Sequence, residues 1–152
     1  MKNAIRALVA FALILASAQA QKKSGAAEMA LLLEKSGYTY TKISDGVWEI
    51  TFKGKNTGEF PVRLAIGGDV LVTLAKLADR KDLNLQPAFL TQLLELNDSL
   101  DSIKIALSDE MLYVRMDTHL RLIDSTELKY LLEQISGATD EMYPKIKQYL
   151  PK

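Results

Sequence analysis

The sequence predicts an α+β fold, a two-layer sandwich in the order α-β-β-β-β-α-β-β-α. Three observations predict it. Apolar residues recur at helical intervals of three and four in three stretches. Elsewhere they alternate with polar residues, the period of a half-buried strand. The strand-like stretches are joined by short turns, which favours antiparallel pairing, and helices covering one face of such a sheet give two layers. The 152 residues suit one domain.

Residues 21–25 are polar and read as a flexible start; residues 26–150 read as the domain. From Ala26 to Ser36, Met29, Leu32 and Leu33 share a helical face, and Gly37 stops the helix. Tyr38 to Ile43 is aromatic and β-branched, hence extended. Asp45-Gly46 is a hairpin turn, because both residue types tolerate positive φ. Trp48, Ile50 and Phe52 then alternate with Glu49, Thr51 and Lys53, so Trp48 is expected in the core rather than as a surface anchor. Lys55 to Glu59 is a loop, Val62 to Ile66 a third strand, Gly67-Gly68-Asp69 a turn, and Val70 to Leu77 a fourth strand.

Lys76 to Leu85 is charged and irregular. Pro87 suits the first turn of a helix, and Phe89, Leu90, Leu93, Leu94 and Leu96 form its apolar stripe up to Asn97-Asp98. Ile103, Ile105 and Leu107, then Leu112, Val114 and Met116, are the strands of a hairpin across Asp109-Glu110. Asp124 caps the last helix, with Glu127 completing a capping box. Leu128, Leu131, Leu132 and Ile135 are its buried stripe. Gly137 is expected to break or bend it, and Asp140 to Leu150 to continue with Tyr143, Ile146 and Leu150 on one side.

Residues 1–20 have the three parts of a secretory signal. Lys2 and Arg6 are a positive start, Ala7 to Ala16 an uncharged apolar run, and Ala18-Gln19-Ala20 the small residues a signal peptidase reads. The run falls short of the about 20 residues of a membrane span. Cleavage is expected between Ala20 and Gln21, leaving a soluble periplasmic or secreted protein.

Composition narrows the function. Removal of Lys2 and Arg6 leaves 17 basic against 19 acidic residues, a net charge of −2. Nucleic-acid binding needs clustered Lys and Arg, and the longest clusters are Lys22-Lys23 and Arg80-Lys81. There is no cysteine, which excludes thiolate catalysis, thiolate metal sites and a lipoprotein anchor.

No catalytic, cofactor or metal motif stands out. His119 is the one histidine, whereas a zinc site takes three or four ligands and a general base needs an oriented partner. Gly67-Gly68-Asp69 joins two strands rather than opening a helix, so it is a turn and not a phosphate loop. The acidic pairs Asp79/Asp82, Asp98/Asp101 and Asp109/Glu110 match no calcium loop. No serine stands in a nucleophile elbow. Met142, Tyr143 and Tyr149 exceed what one helix face needs, and they cover the edge of the core or form a partner interface.

Five stretches together resemble the YbjN-like family of bacterial sensory transduction regulators. They are Val47 to Phe52, Gly68 to Val72, Leu93 to Asn97, Lys104 to Leu107, and Thr139 to Pro144; Leu96-Asn97 and Asp140-Glu141-x-Tyr143-Pro144 are the most distinctive. The resemblance implies the fold of type III secretion chaperones, small domains that commonly dimerise, and no catalytic motif. Its relatives are mostly cytoplasmic, in contrast to the signal here. The expectation is an exported, non-enzymatic binding or regulatory module without a cofactor, whose partner is a protein, a peptide or a second copy. The alternatives are a small envelope hydrolase using carboxylates and His119, and a structural envelope component.

Overall fold

The structure, a computed structural model, describes residues 25–150. The expected signal with Ala18, Ala20 and Gln21 lies outside the described residues. Helix α1 covers residues 25–36. Gly37 closes it at φ 79°, and Ser36 Oγ donates to Leu33 O at 2.6 Å while accepting from Tyr38 N at 3.3 Å. That cap draws Tyr38 to Tyr40 out of the expected strand. Strand β1 is Thr41–Ser44, and the Tyr38 ring instead rests on Phe52, centroids 5.5 Å apart.

Strands β2 (Val47–Gly54), β3 (Gly58–Gly67) and β4 (Val70–Asp79) follow as a meander. The expected loop from Lys55 to Glu59 shrinks to a turn of three residues, since Gly58 at φ 73° already pairs with Gly54. The irregular segment likewise starts later, because β4 absorbs a bulge between Lys76 and Ala78 and pairs as far as Asp79. A short 3-10 turn, Arg80–Asp82, leads to α2 (Pro87–Asp98). The hairpin of β5 (Lys104–Leu107) and β6 (Met111–His119) precedes a second 3-10 turn and α3 (Ser125–Lys147). The six strands form one antiparallel sheet, ordered β1-β2-β3-β4-β6-β5. The architecture is the α+β sandwich, in the order the sequence predicts.

Asp124 Oδ1 accepts from Thr126 N and Glu127 N, both at 2.8 Å, so Glu127 supplies a backbone donor rather than the side-chain acceptor of a capping box. Gly137 does not break α3, which runs unbroken from Ser125 to Lys147. It is exposed, and its buried neighbours Ala138 and Thr139 hold the helix against the core. The phase of Leu131, Leu132 and Ile135 therefore runs unbroken through Ala138, Met142 and Ile146. Tyr143 and Leu150, expected beside Ile146, sit at the margin of that stripe.

All three helices feed one core, with α3 lying over β2, β3, β4 and β6. No helix among the described residues is long and apolar enough to cross a membrane. Trp48 is a core residue, 1% exposed, and its Nε1 has no partner among the described residues. An orphaned buried donor costs on the order of 1–3 kcal/mol. Trp48→Phe removes that penalty along with some volume and is expected to cost below about 1 kcal/mol, against about 3–5 kcal/mol for Trp48→Ala. Urea unfolding of both variants checks this, and equal losses would refute it.

Candidate interaction surface

The sheet's second face is open to water. Val47, Ala65, Val72 and Asp117 form one row across it, and Glu49, Arg63, Leu74, Arg115 and Lys104 the next. Charge pairs lace this face: Arg63 with Glu49 at 3.0 Å and Arg115 with Asp117 at 2.8 Å. The Asp117 bond raises the Arg115 pKa. At the end of β4, Lys76 bonds Asp79 at 2.7 Å and holds that carboxyl below its usual value. Such exposed pairs add little stability, but they keep the face polar.

The apolar exposure lies on α2. Six large apolar side chains are exposed among the described residues, and only Leu90 and Leu94 share an element. Leu94, at 72%, is the most exposed of the six. The stripe read from sequence thus divides: Phe89, Leu93 and Leu96 enter the core, and Leu90 and Leu94 face out. At 100° per residue, Leu90, Leu94 and Asn97 fall within roughly 60° of one another. Asn97 reaches Ile105, so this flank is the one turned toward β5. The sequence shows five apolar positions on a 12-residue helix, which is more than one buried face takes. That surplus was the available signal.

Met142 is 2% exposed and belongs to the core. Tyr149 is partly buried, its ring 4.5 Å from Phe89, and Tyr143 is partly buried at the end of β4. Of the three, only Tyr149 packs against α2, and Tyr143 and Tyr149 are both partly exposed.

His119 ends β6. Its Nδ1 lies 3.4 Å from Asp69 Oδ2, and both residues line a hollow of about 310 Å³ with Glu28 and Arg121. Two carboxylates, Asp69 and Glu28, share this hollow with His119, and Asp69 is the one paired with it. The side chains of His119 and Asp69 are 53% and 74% exposed, however, and no hydroxyl side chain lines the hollow. A solvated imidazole–carboxylate pair without a nucleophile lacks the parts of nucleophilic catalysis. Gly68, at φ 69°, is the turn residue expected. Among the described residues no cluster of His, Asp and Glu could hold a metal ion.

Sequence reasoning missed two polar clamps inside the most distinctive stretches. One is Asn97 on Ile105. The other is Asp140, whose carboxylate accepts from Lys55 N, Asn56 N and Thr57 N at 3.1, 2.7 and 2.9 Å and from Thr57 Oγ1 at 2.9 Å. These bonds, that from Thr57 N foremost, hold its carboxyl below its usual pKa. Pro144 has no N–H for the carbonyl of Asp140, and Asn56 Nδ2 takes that carbonyl at 3.1 Å. Asp140 thus grips the β2–β3 turn with its carboxylate and with the carbonyl that Pro144 leaves free.

No family model matches this chain, and no curated protein matches it. Solved structures do. YbjN of E. coli, a proposed transcription regulator, superposes with a TM-score of 0.60 at 16% identity, over 82% of this chain and 94% of that one. The complex of ExsC with ExsE gives 0.59 at 8% identity, over 80% and 95%. The Yersinia pestis type III secretion chaperone SycH, bound to a fragment of YscM2, gives 0.50 at 18% identity, over 78% and 96%. The chain therefore has the fold of YbjN and of type III secretion chaperones.

Proposed function

We propose that the mature chain is an exported, non-catalytic module that binds another polypeptide through the Leu90–Leu94 flank of α2. The observation that carries this reading is the exposure of both leucines, 43% and 72%, on a helix whose other large apolar residues, Phe89, Leu93 and Leu96, are buried. Paired leucines at i and i+4 are the anchors an apolar partner surface takes up. The fold supports the same reading, since matching chains were solved in complex with ExsE and with a fragment of YscM2. A second copy of the chain is one partner that would cover the flank. Export rests on Lys2, Arg6, the apolar run and Ala18-Gln19-Ala20.

Two measurements test it. Fractionated cells expressing the full chain should yield a periplasmic or secreted protein whose first residue is Gln21; cytosolic protein beginning at Met1 would refute export. Leu90→Ser/Leu94→Ser should fold with a near-native melting temperature, because both positions are exposed. It should lose the partner, or the dimer, that the parent retains in cross-linking from the same compartment. Identical cross-linked species in parent and variant would refute the assigned surface.

A further inference from the structure

An open sheet edge is a template for pairing with another chain. The edge at β1 is short, carries Lys42 and is bulged between Lys42 and Ser44, all features that hinder pairing. The edge at β5 is as short and carries Lys104, but it has no bulge; its sequence is Lys-Ile-Ala-Leu. Successive residues of an antiparallel edge strand turn their backbone groups alternately inward and outward. Ser108 N donates to Met111 O, so Ser108, Ala106 and Lys104 turn toward β6, and Ile105 and Leu107 turn outward.

Asn97 occupies one of those two outward positions. Its Oδ1 accepts from Ile105 N at 2.7 Å, and its Nδ2 donates to Ile105 O at 3.0 Å. One acceptor and one donor, aimed at the N–H and C=O of a single residue, are what an incoming antiparallel strand presents to its hydrogen-bonded partner. The side-chain amide stands in for a strand. Leu90 and Leu94 are exposed on the same flank, and they would give an incoming strand apolar contact if the position were vacant.

We propose that Asn97 is an edge guard that prevents β5 from pairing with β5 of a second copy of this chain. With Ile105 and Leu107 both free, two copies can exchange backbone hydrogen bonds at both residues. With Ile105 occupied, only Leu107 remains, and one residue does not make a ladder. The guard does not depend on the proposed export or on the partner of α2.

The test is sedimentation of the mature protein against Asn97→Ala over matched concentrations. The variant should self-associate beyond the parent's state, and roughly tenfold or more tightly, the scale of two recovered backbone hydrogen bonds. Adding Ala106→Lys, a charge on the face of β5 away from the core, should return the double variant to the parent's mass, because two copies paired through Ile105 and Leu107 would set the two lysines opposite each other. A folded Asn97→Ala that keeps the parent's mass throughout overturns the proposal, as does association that survives Ala106→Lys. Should Asn97→Ala fail to fold, Asn97→Ser carries the same test, since a hydroxyl cannot bridge both groups of Ile105.

Discussion

Phe89→Ala is expected to lower stability by about 3–5 kcal/mol, the cost of emptying a buried aromatic site. Phe89 is 0% exposed and meets Tyr149 at 4.5 Å. The local consequence should exceed the global one. At 12 residues, α2 is too short to persist alone in water, and Gln86 supplies no side-chain cap. Its position rests on Phe89, Leu93 and Leu96 inside and on Asn97 at its end. Removing the ring also frees Tyr149, whose carbonyl accepts from Asn84 N at 3.2 Å and ties the segment before α2 to the end of α3. Hydrogen exchange should therefore show α2 and residues 148–150 losing protection while the middle of α3 keeps it. Leu90→Ala, one position along, should change stability by less than about 0.5 kcal/mol. A Phe89→Ala loss below about 1 kcal/mol, or uniform deprotection, would show that α2 is held by something other than this contact.

The contrast between Phe89 and Leu90 also shows where sequence reading stops. Periodicity reported which residues are apolar, and in strands that sufficed: Trp48, Ile50, Leu64 and Val114 are buried where alternation puts them. The turns at Asp45-Gly46 and Gly67-Gly68-Asp69 were legible because positive φ at Gly46 and Gly68 selects the residue type. A helix with five apolar positions spans more than one face, and only packing against a particular neighbour decides which face is dry. Gly137 failed in the other direction: its weak helix propensity is overridden by Ile135, Ala138, Thr139 and Met142, all buried on the same helix. The candidate surface was legible only as a surplus of leucine. The roles of Asn97 and Asp140 were not legible at all, because each bonds backbone from a different element, Asp140 some 85 residues away in sequence. Nothing local marks such a bond.

Asp140→Ala is expected to lower the melting temperature by several degrees near neutral pH, because it leaves three N–H groups of the β2–β3 turn and the Thr57 hydroxyl without their acceptor. The pH dependence has a definite sign. The carboxyl is held below its ordinary value of 3.8 in the folded protein. A depressed carboxyl stabilises fully above its unfolded value, and the contribution fades as pH falls through the folded one. The gap between parent and Asp140→Ala should accordingly be flat at neutral pH and narrow in acid below about 3.8. A gap that grows on acidification would assign the effect to some other group. Gly54 offers a second route to the same clamp. A Cβ there would collide with Asp140 Oδ1 and Thr57 Oγ1, so Gly54→Ala should cost about 1–3 kcal/mol by overpacking. In the Asp140→Ala background one of the two obstacles is gone, and the same substitution should cost less. If the two changes add without coupling, Gly54 and Asp140 do not act at one site, and the reading of the Asp140–Pro144 signature as a hairpin clamp fails.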